Sequence, residues 1–253
     1  MKRILVIGIG PGGTEHLTVA AIEALRRADV IFTFDKGEAK SDLVGLRQEI
    51  CERYRDGKPY RLIEMPNPQR DVPEGDYKAG VRSWHEARAA IVAARMRDEL
   101  SEEGCGAFLV WGDPAIYDST LRILQHLADD PDAGFDYEVI PGISSIQLLA
   151  ARHRIALNAI GEPVLITTGR KLADAFPEGY ESIVVMLDGG AGLASLAGRG
   201  DLDIFWGAYL GTKDEVLKAG RVADVLEEIR GLRQRRKGEK GWIMDTYLLR
   251  RRT

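Results

Sequence analysis

A glycine-rich turn placed directly behind an apolar run constrains this chain more than any other feature. Residues Val6 to Gly13 read VIGIGPGG, which sets Gly8, Gly10 and Gly13 in a G-x-G-x-x-G spacing at the end of the run Arg3–Ile9. A short apolar run bounded by glycines reads as a buried strand. A glycine-rich exit from such a strand is the sharp strand-to-helix turn of a layered α/β protein. Asp35 closes the next apolar run, at roughly the 20-residue distance where a dinucleotide fingerprint places its ribose acid. The motif therefore supports a nicotinamide-dependent oxidoreductase, and equally a tight turn that holds no nucleotide. Pro11 has no N–H and removes one phosphate donor. Gly12-Gly13 loosens the junction, and Asp35 lies in a crowded polar loop, FDKGE, rather than at a clean strand end.

The rest of the chain alternates in the same way. Thr14 is placed to cap a helix over 15–27, with Leu17, Ala20, Ala21, Ala24 and Leu25 as its apolar stripe. Strands are expected over 29–34, 107–111, 137–140, 163–168, 182–187, 203–210 and 242–249. Helices are expected over 41–53, 76–102, 115–128, 144–152, 170–175, 191–197 and 222–230, the long one carrying Trp84, Ala87, Ile91 and Ala94 as its core stripe. A Pro-rich connector, MPNPQRDVPEG, precedes that long helix. The polar stretch ADDPDAGFD, Ala128 to Asp136, reads as a linker. It divides the chain into an N-terminal lobe over 1–130 and a C-terminal lobe over 131–253, with the cleft between them as the expected ligand site.

Composition narrows the function classes. Of the 253 residues, 45% are apolar, enough for a substantial core, and the net charge of −4 disfavours a nucleic-acid-coating surface. No apolar run reaches the roughly 18 residues of a membrane span, and the start, MKRILVIG, lacks a secretory cleavage pattern. Cys51 and Cys105 stand far apart without a CxxC, so the expectation is a cytoplasmic protein with two ordinary packing thiols. His16, His85, His126 and His153 are scattered and show no ligand spacing, so no metal is expected.

Four segments in order resemble the tetrapyrrole methylase family. They are GIGPGGTEHLTVAAIEALRRADVIF (Gly8 to Phe32), WGDPAIYDST (Trp111 to Thr120), IPGISSIQLLAA (Ile140 to Ala151) and VVMLDGG (Val184 to Gly190). The resemblance spans most of the chain. It implies a two-lobed α/β fold, each lobe a mixed sheet flanked by helices, with the cofactor in the cleft. The implied cofactor is S-adenosyl-L-methionine, leaving as S-adenosyl-L-homocysteine. It carries no phosphate, which suits a glycine turn without basic residues.

Mapped by motif, the resemblance implies cofactor contacts at Pro11, Trp111, Gly112, Asp113, Ile116, Ser144, Ser145, Met186 and Ala208. Trp111 stands where the family often has glycine, and the Ala208 segment is longer than usual. The loop FDKGEAKSDLVGLRQEICERY, Phe34 to Tyr54, resembles members that methylate C-1 of a corrinoid precursor and release acetate. That implies a C-methyltransferase acting on a large macrocycle with several carboxylates. Loss of the acetyl group needs a base to activate water. Asp35 and Glu38 are the candidates, Lys36 a possible clamp, and Tyr117 a hydrogen-bonding partner. The basic runs 233–237 and 250–252 are expected to be solvated. Family members are commonly homodimers, which is the expectation here. Rival readings are another methylase of the superfamily, acting on a different precorrin, diphthamide or ribosomal RNA, a non-catalytic binding protein, or the NAD(P)-dependent oxidoreductase read from GIGPGG.

Overall fold

The computed structural model describes residues 1–35, 41–69, 77–130 and 132–252. They form two compact units, Met1–Ile143 and Ser144–Thr253.

The first unit is built on five strands, β1 (Lys2–Gly8), β2 (Val30–Phe34), β3 (Arg61–Met65), β4 (Cys105–Val110) and β5 (Phe135–Ile140), in the order β3-β2-β4-β1-β5. All four strand pairings are parallel, and an antiparallel bridge between Gly10 and Gly112 extends the sheet beyond β1 and β4. The central strand β1 explains why Ile4–Ile7 is an unbroken apolar run. Side chains alternate between faces. Ile4 and Val6 enter one core with Phe32, Val92, Met96 and Phe108, while Leu5 and Ile7 enter the other with Ala21, Leu25, Ile31 and Leu109. A parallel sheet covered on both faces requires such a strand.

Four helices cover it: α1 (Val19–Arg27), α2 (Ser41–Tyr54), α3 (Tyr77–Glu99) and α4 (Thr120–Ala128). Helix α1 starts later than Thr14 would have it. Residues Thr14–His16 form one 3-10 turn, and the cap is Thr18, whose hydroxyl accepts from the Ala21 N–H at 3.0 Å. Thr14 is buried and accepts instead from Arg53 Nη1 at 2.8 Å. In α3 the inward stripe is Ala89, Val92 and Met96, with Ala87 exposed. The expected phase fails because ARAAIVAAR (87–95) offers small apolar residues on several faces at once. Helix α4 begins five residues after Ala115, since Trp111–Ser119 is a loop.

The boundary expected at 130/131 is corrected. After α4 the chain returns to the first sheet, where β5 runs beside β1 in the register Ile4↔Tyr137 and Ile7↔Ile140. The division falls after Ile143. Strand β3 was not foreseen from sequence because it is a mostly exposed edge, and RLIEM lacks a clean alternation.

The second unit holds a mixed sheet, β6 (Val164–Thr168), β7 (Ser182–Met186), β8 (Leu202–Ala208), β9 (Val216–Arg221) and β10 (Asp245–Arg251), ordered β6-β7-β10-β8-β9. Only β6 and β7 pair in parallel. Helices α5 (Ser145–His153), α6 (Gly169–Asp174), α7 (Ala191–Ala194) and α8 (Val222–Lys240) accompany it. Helix α8 extends through the basic run 233–237, so helical periodicity splits that run. Arg233 turns inward to Asp245 at 3.0 Å, while Gln234 and Arg235 are exposed.

Arg55 shows how the first unit disposes of buried polar groups. It is 2% exposed, and its guanidinium donates to the carbonyls of Leu25, Ala28 (2.8 Å), Pro59 (3.0 Å) and Lys58 (3.4 Å). A cation there satisfies the last carbonyls of α1. Arg55→Ala leaves several of them without a donor and should lower stability by roughly 3 kcal/mol, read by urea unfolding.

Candidate active site

Ligands of parallel α/β sheets sit beyond the carboxyl ends of the strands. In the first unit three loops leave those ends and interlock through glycines. Gly10 (φ 80°) and Gly112 (φ 71°) take the left-handed backbone, and each donates its N–H to the other's carbonyl, at 3.3 and 2.8 Å. A Cβ on Gly8 would lie 2.5 Å from the Gly142 nitrogen, and one on Gly142 would lie 2.2 Å from the Gly112 oxygen. The turns after β1, β4 and β5 can approach this closely only without side chains.

This packing bears on the nucleotide reading of VIGIGPGG. The Gly10 N–H is committed to Gly112, and the Gly13 N–H donates to His16 Nδ1 at 3.2 Å. Pro11 is buried and has no N–H. The following α-helix opens only at Val19. A pyrophosphate would find two of the loop's amides already committed and no adjacent α-helix N-terminus of the kind the fingerprint provides.

The Trp111–Ser119 loop is shaped by Asp113. Its Oδ1 accepts from the Ala115 N–H at 2.8 Å and its Oδ2 from the Gly142 N–H at 2.9 Å. The carboxylate thus ties the loop after β4 to the turn after β5. Trp111 is half-buried, and its Nε1 is fully covered with no acceptor among the described residues. Tyr117 is exposed at φ 51°, an unusual conformation for a bulky residue. Partial burial pushes its phenol up, so at neutral pH it is a donor. Asp35 follows β2 as an exposed residue whose N–H donates to the Met65 carbonyl at 2.9 Å. Lys36 and Glu38 lie outside the described residues.

In the second unit, Ser144 is the cap of α5. Its hydroxyl accepts from the Ile146 N–H at 3.1 Å, and its own N–H donates to Gln147 Oε1 at 3.0 Å, a capping box. Ser145 reaches Thr246 of β10, hydroxyl to hydroxyl, at 2.9 Å. Thr246 pairs with Met186 on one side and Gly207 on the other, so Ser145, Met186 and the Gly207–Ala208 strand end gather around one position of β10. Met186 is half-buried and Ala208 fully buried.

Sequence reasoning missed the residues that shape these ends. Leu187 (φ 51°) and Tyr209 (φ 52°) directly follow Met186 and Ala208 in the left-handed region, and Leu187 is 63% exposed. Strained backbone of this kind persists where the surroundings fix it. Around Leu187 the fixing group is Asp188. It is buried and accepts from the N–H groups of Gly190 (2.7 Å), Gly192 (3.0 Å) and Leu193 (2.8 Å) and from the Tyr247 hydroxyl (2.8 Å). Burial and the neighbouring Asp188 push the Tyr247 phenol far up. Beneath it, Asp245 accepts from Trp206 Nε1 at 2.9 Å and pairs with Arg233, which also donates to the Asp188 carbonyl. Burial raises the Asp245 carboxyl against the pull of Arg233. The Asp188-Gly189-Gly190 turn was the available signal, since Asp before glycines commonly organises a tight turn.

Comparison with known proteins decides the family. The pattern of the Tetrapyrrole (Corrin/Porphyrin) Methylases matches residues 3–226. The chain belongs to the tetrapyrrole methylases. It is 48% identical to a precorrin-6A synthase [deacetylating] of Sinorhizobium sp over 251 residues, 99% of this chain and 96% of that one. A solved structure described as cobalamin synthesis related, from Corynebacterium diphtheriae, is 42% identical, covers 99% of both chains and superposes with a TM-score of 0.83. A uroporphyrin-III C-methyltransferase from Thermus thermophilus, solved in complex with S-adenosyl homocysteine, shares the fold at 18% identity and TM-score 0.57, over 98% of this chain and 96% of that one. With the family shown, the oxidoreductase reading of GIGPGG is set aside, and the committed amides of Gly10 and Gly13 give the physical reason.

The interlocked turns yield a direct expectation. Gly142→Ala drives a methyl group into the Gly112 carbonyl, which must separate the loops. Stability should fall by about 1–3 kcal/mol, measured by urea unfolding.

Proposed function

We propose that this tetrapyrrole methylase transfers a methyl group from S-adenosylmethionine to C-1 of a corrinoid precursor and releases acetate, as in the conversion of precorrin-5 to precorrin-6A. The observation that carries the reading is the 48% identity over nearly the whole chain to a precorrin-6A synthase [deacetylating]. A relative of lower identity was solved with S-adenosyl homocysteine, which supports the choice of methyl donor.

The residues fit that donor. It has no phosphate, and the Gly8–Gly13 turn contains no basic residue. Adenosine suits backbone groups and apolar side chains, which Gly112 and Ile116 offer in the first unit and Met186, Leu187 and Ala208 offer in the second. The covered Trp111 Nε1 is a donor without an acceptor, the kind of group that a ligand satisfies. Pro11 and Asp113 act through the shape of their loops. Ser144 and Ser145 act mainly by holding α5 and Thr246, so their ligand contacts fall to backbone groups.

When bound, the sulfonium supplies an activated methyl group and a good leaving group. The protein's contribution to that step is alignment of the ring carbon, and alignment can lower a barrier by about 7–11 kcal/mol in favourable cases. Deacetylation asks for proton transfer. Water, deprotonated by the base, adds to the acetyl carbonyl, the ring–acetyl bond breaks with its electron pair left on C-1, and acetate leaves, so that C-1 is the carbon that takes the methyl group. Asp35, exposed at the carboxyl end of β2, is the base we assign, with Glu38 as its companion and Lys36 as a clamp for the substrate. Tyr117 donates a hydrogen bond. A homodimer in the cytoplasm is part of this reading.

Calorimetric titration with S-adenosylhomocysteine, NADH and NADPH in parallel tests the frame. One-to-one binding of the first and none of the nicotinamides is expected, and binding of a nicotinamide alone overturns the reading. Asp35→Asn should slow acetate release by about 10²–10⁴-fold, followed by an acetate assay, with S-adenosylhomocysteine affinity retained. An unchanged rate removes Asp35 from the mechanism.

A further inference from the structure

Arg88 is buried in different company from Arg55 and Arg233. Arg55 is surrounded by carbonyl oxygens, and Arg233 meets the Asp245 carboxylate and the Asp188 carbonyl. Arg88 is 9% exposed, yet among the described residues its guanidinium makes one hydrogen bond, from Nη1 to the neutral Ser119 hydroxyl at 2.7 Å. Its Nε is fully covered and has no acceptor. No carboxylate of the described residues stands within ion-pair distance of it. Burial pushes the guanidinium down to about 10 while the more distant charge of Asp118 pulls it up, so the group remains a cation at neutral pH.

What holds the cation is aromatic. The guanidinium carbon lies 3.7 Å from the centroid of the Phe34 ring and 4.5 Å from that of Trp84. Ring faces attract a cation but leave its in-plane N–H groups available. Trp84 is itself fixed, since its Nε1 donates to the Pro68 carbonyl at 3.0 Å. Phe34 ends β2, and Ser119 ends the loop that follows β4. A residue of α3 is thereby drawn to the carboxyl ends of two parallel strands, the side of the sheet where ligands bind.

A desolvated cation without a counter-ion is costly unless an anion arrives. A planar fork held against two rings is ready for a carboxylate, which it can grip through two parallel hydrogen bonds. We propose that Arg88 binds a peripheral carboxylate of the tetrapyrrole substrate and so fixes how the macrocycle is held on the first unit. The proposal rests on the tetrapyrrole methylase reading above, which supplies a substrate with several carboxylates.

The test uses uroporphyrin III as probe, with its octamethyl ester as the uncharged control. Binding to the full-length protein is followed by porphyrin fluorescence. S-Adenosylhomocysteine calorimetry and a thermal melt are run on every variant. The wild type should bind the acid and not the ester. Arg88→Met should weaken binding of the acid by about tenfold or more, equivalent to about 1.4 kcal/mol. Its affinity for S-adenosylhomocysteine should stay unchanged and its Tm within about 2 °C. Equal affinity in wild type and Arg88→Met overturns the proposal, as does a wild type that binds S-adenosylhomocysteine but no uroporphyrin. A wild type that binds no S-adenosylhomocysteine overturns the methylase reading instead. Should Arg88→Met fail to fold, Arg88→Lys decides, because it keeps the charge and loses the planar fork. Several-fold weaker uroporphyrin binding with normal S-adenosylhomocysteine affinity supports the proposal, and unchanged uroporphyrin binding ends it.

Discussion

The mutual approach of Gly8, Gly112 and Gly142 is the constraint on which the carboxyl-end edge of the first unit's sheet depends. Three loops leave adjacent parallel strands and touch backbone to backbone, with no room for a Cβ on Gly8 or Gly142. Asp113 closes the arrangement by accepting from the Gly142 N–H. The order of strands makes this possible. Because β1 lies between β4 and β5, the turns after all three are neighbours although they are distant in sequence. The same glycines that invite a phosphate-cradle reading are thereby occupied in holding loops together. A methyl donor without phosphate groups asks nothing of those amides, whereas the dinucleotide fingerprint relies on them.

The second unit solves the corresponding problem with buried polar side chains. Its strand ends at Met186 and Ala208 are followed by residues in the left-handed region, and an Asp188–Tyr247 pair and an Asp245–Trp206–Arg233 cluster support them from beneath. Asp188 alone accepts four hydrogen bonds, three of them from backbone N–H groups. Groups so fully partnered specify one loop geometry, and leaving any of them unpaired in the core is expensive. Arg88 in the first unit stands apart, because its partners are rings and one hydroxyl.

Sequence reasoning recovered the strand–helix alternation and located most strands, since apolar runs bounded by glycine or proline are strong local signals. The family motifs led to the loops that gather at the strand ends. The misreadings share a cause, which is that local patterns offered more than one solution. Thr14 and Thr18 can both cap a helix, and tertiary packing assigned Thr14 to Arg53 instead. The alanine-rich α3 does not encode its own phase. Ala128 to Asp136 has a linker's composition but connects α4 to β5 within one sheet. Edge strands β3 and β9, being half solvated, carry too little apolar signal to be seen. The roles of Asp188 and Arg88 depend on partners distant in sequence, to which no spacing rule applies.

The bond from Asp113 to Gly142 joins positions 29 residues apart. In effect it is a crosslink made without sulfur, and it closes a loop whose ordering cost grows only slowly with length. Cys51 and Cys105 are both free thiols, so the described part of the first unit holds no disulfide. A fastener built from a carboxylate and an amide is indifferent to oxidants and reductants alike. The geometry of this edge is therefore decoupled from the redox state of its surroundings.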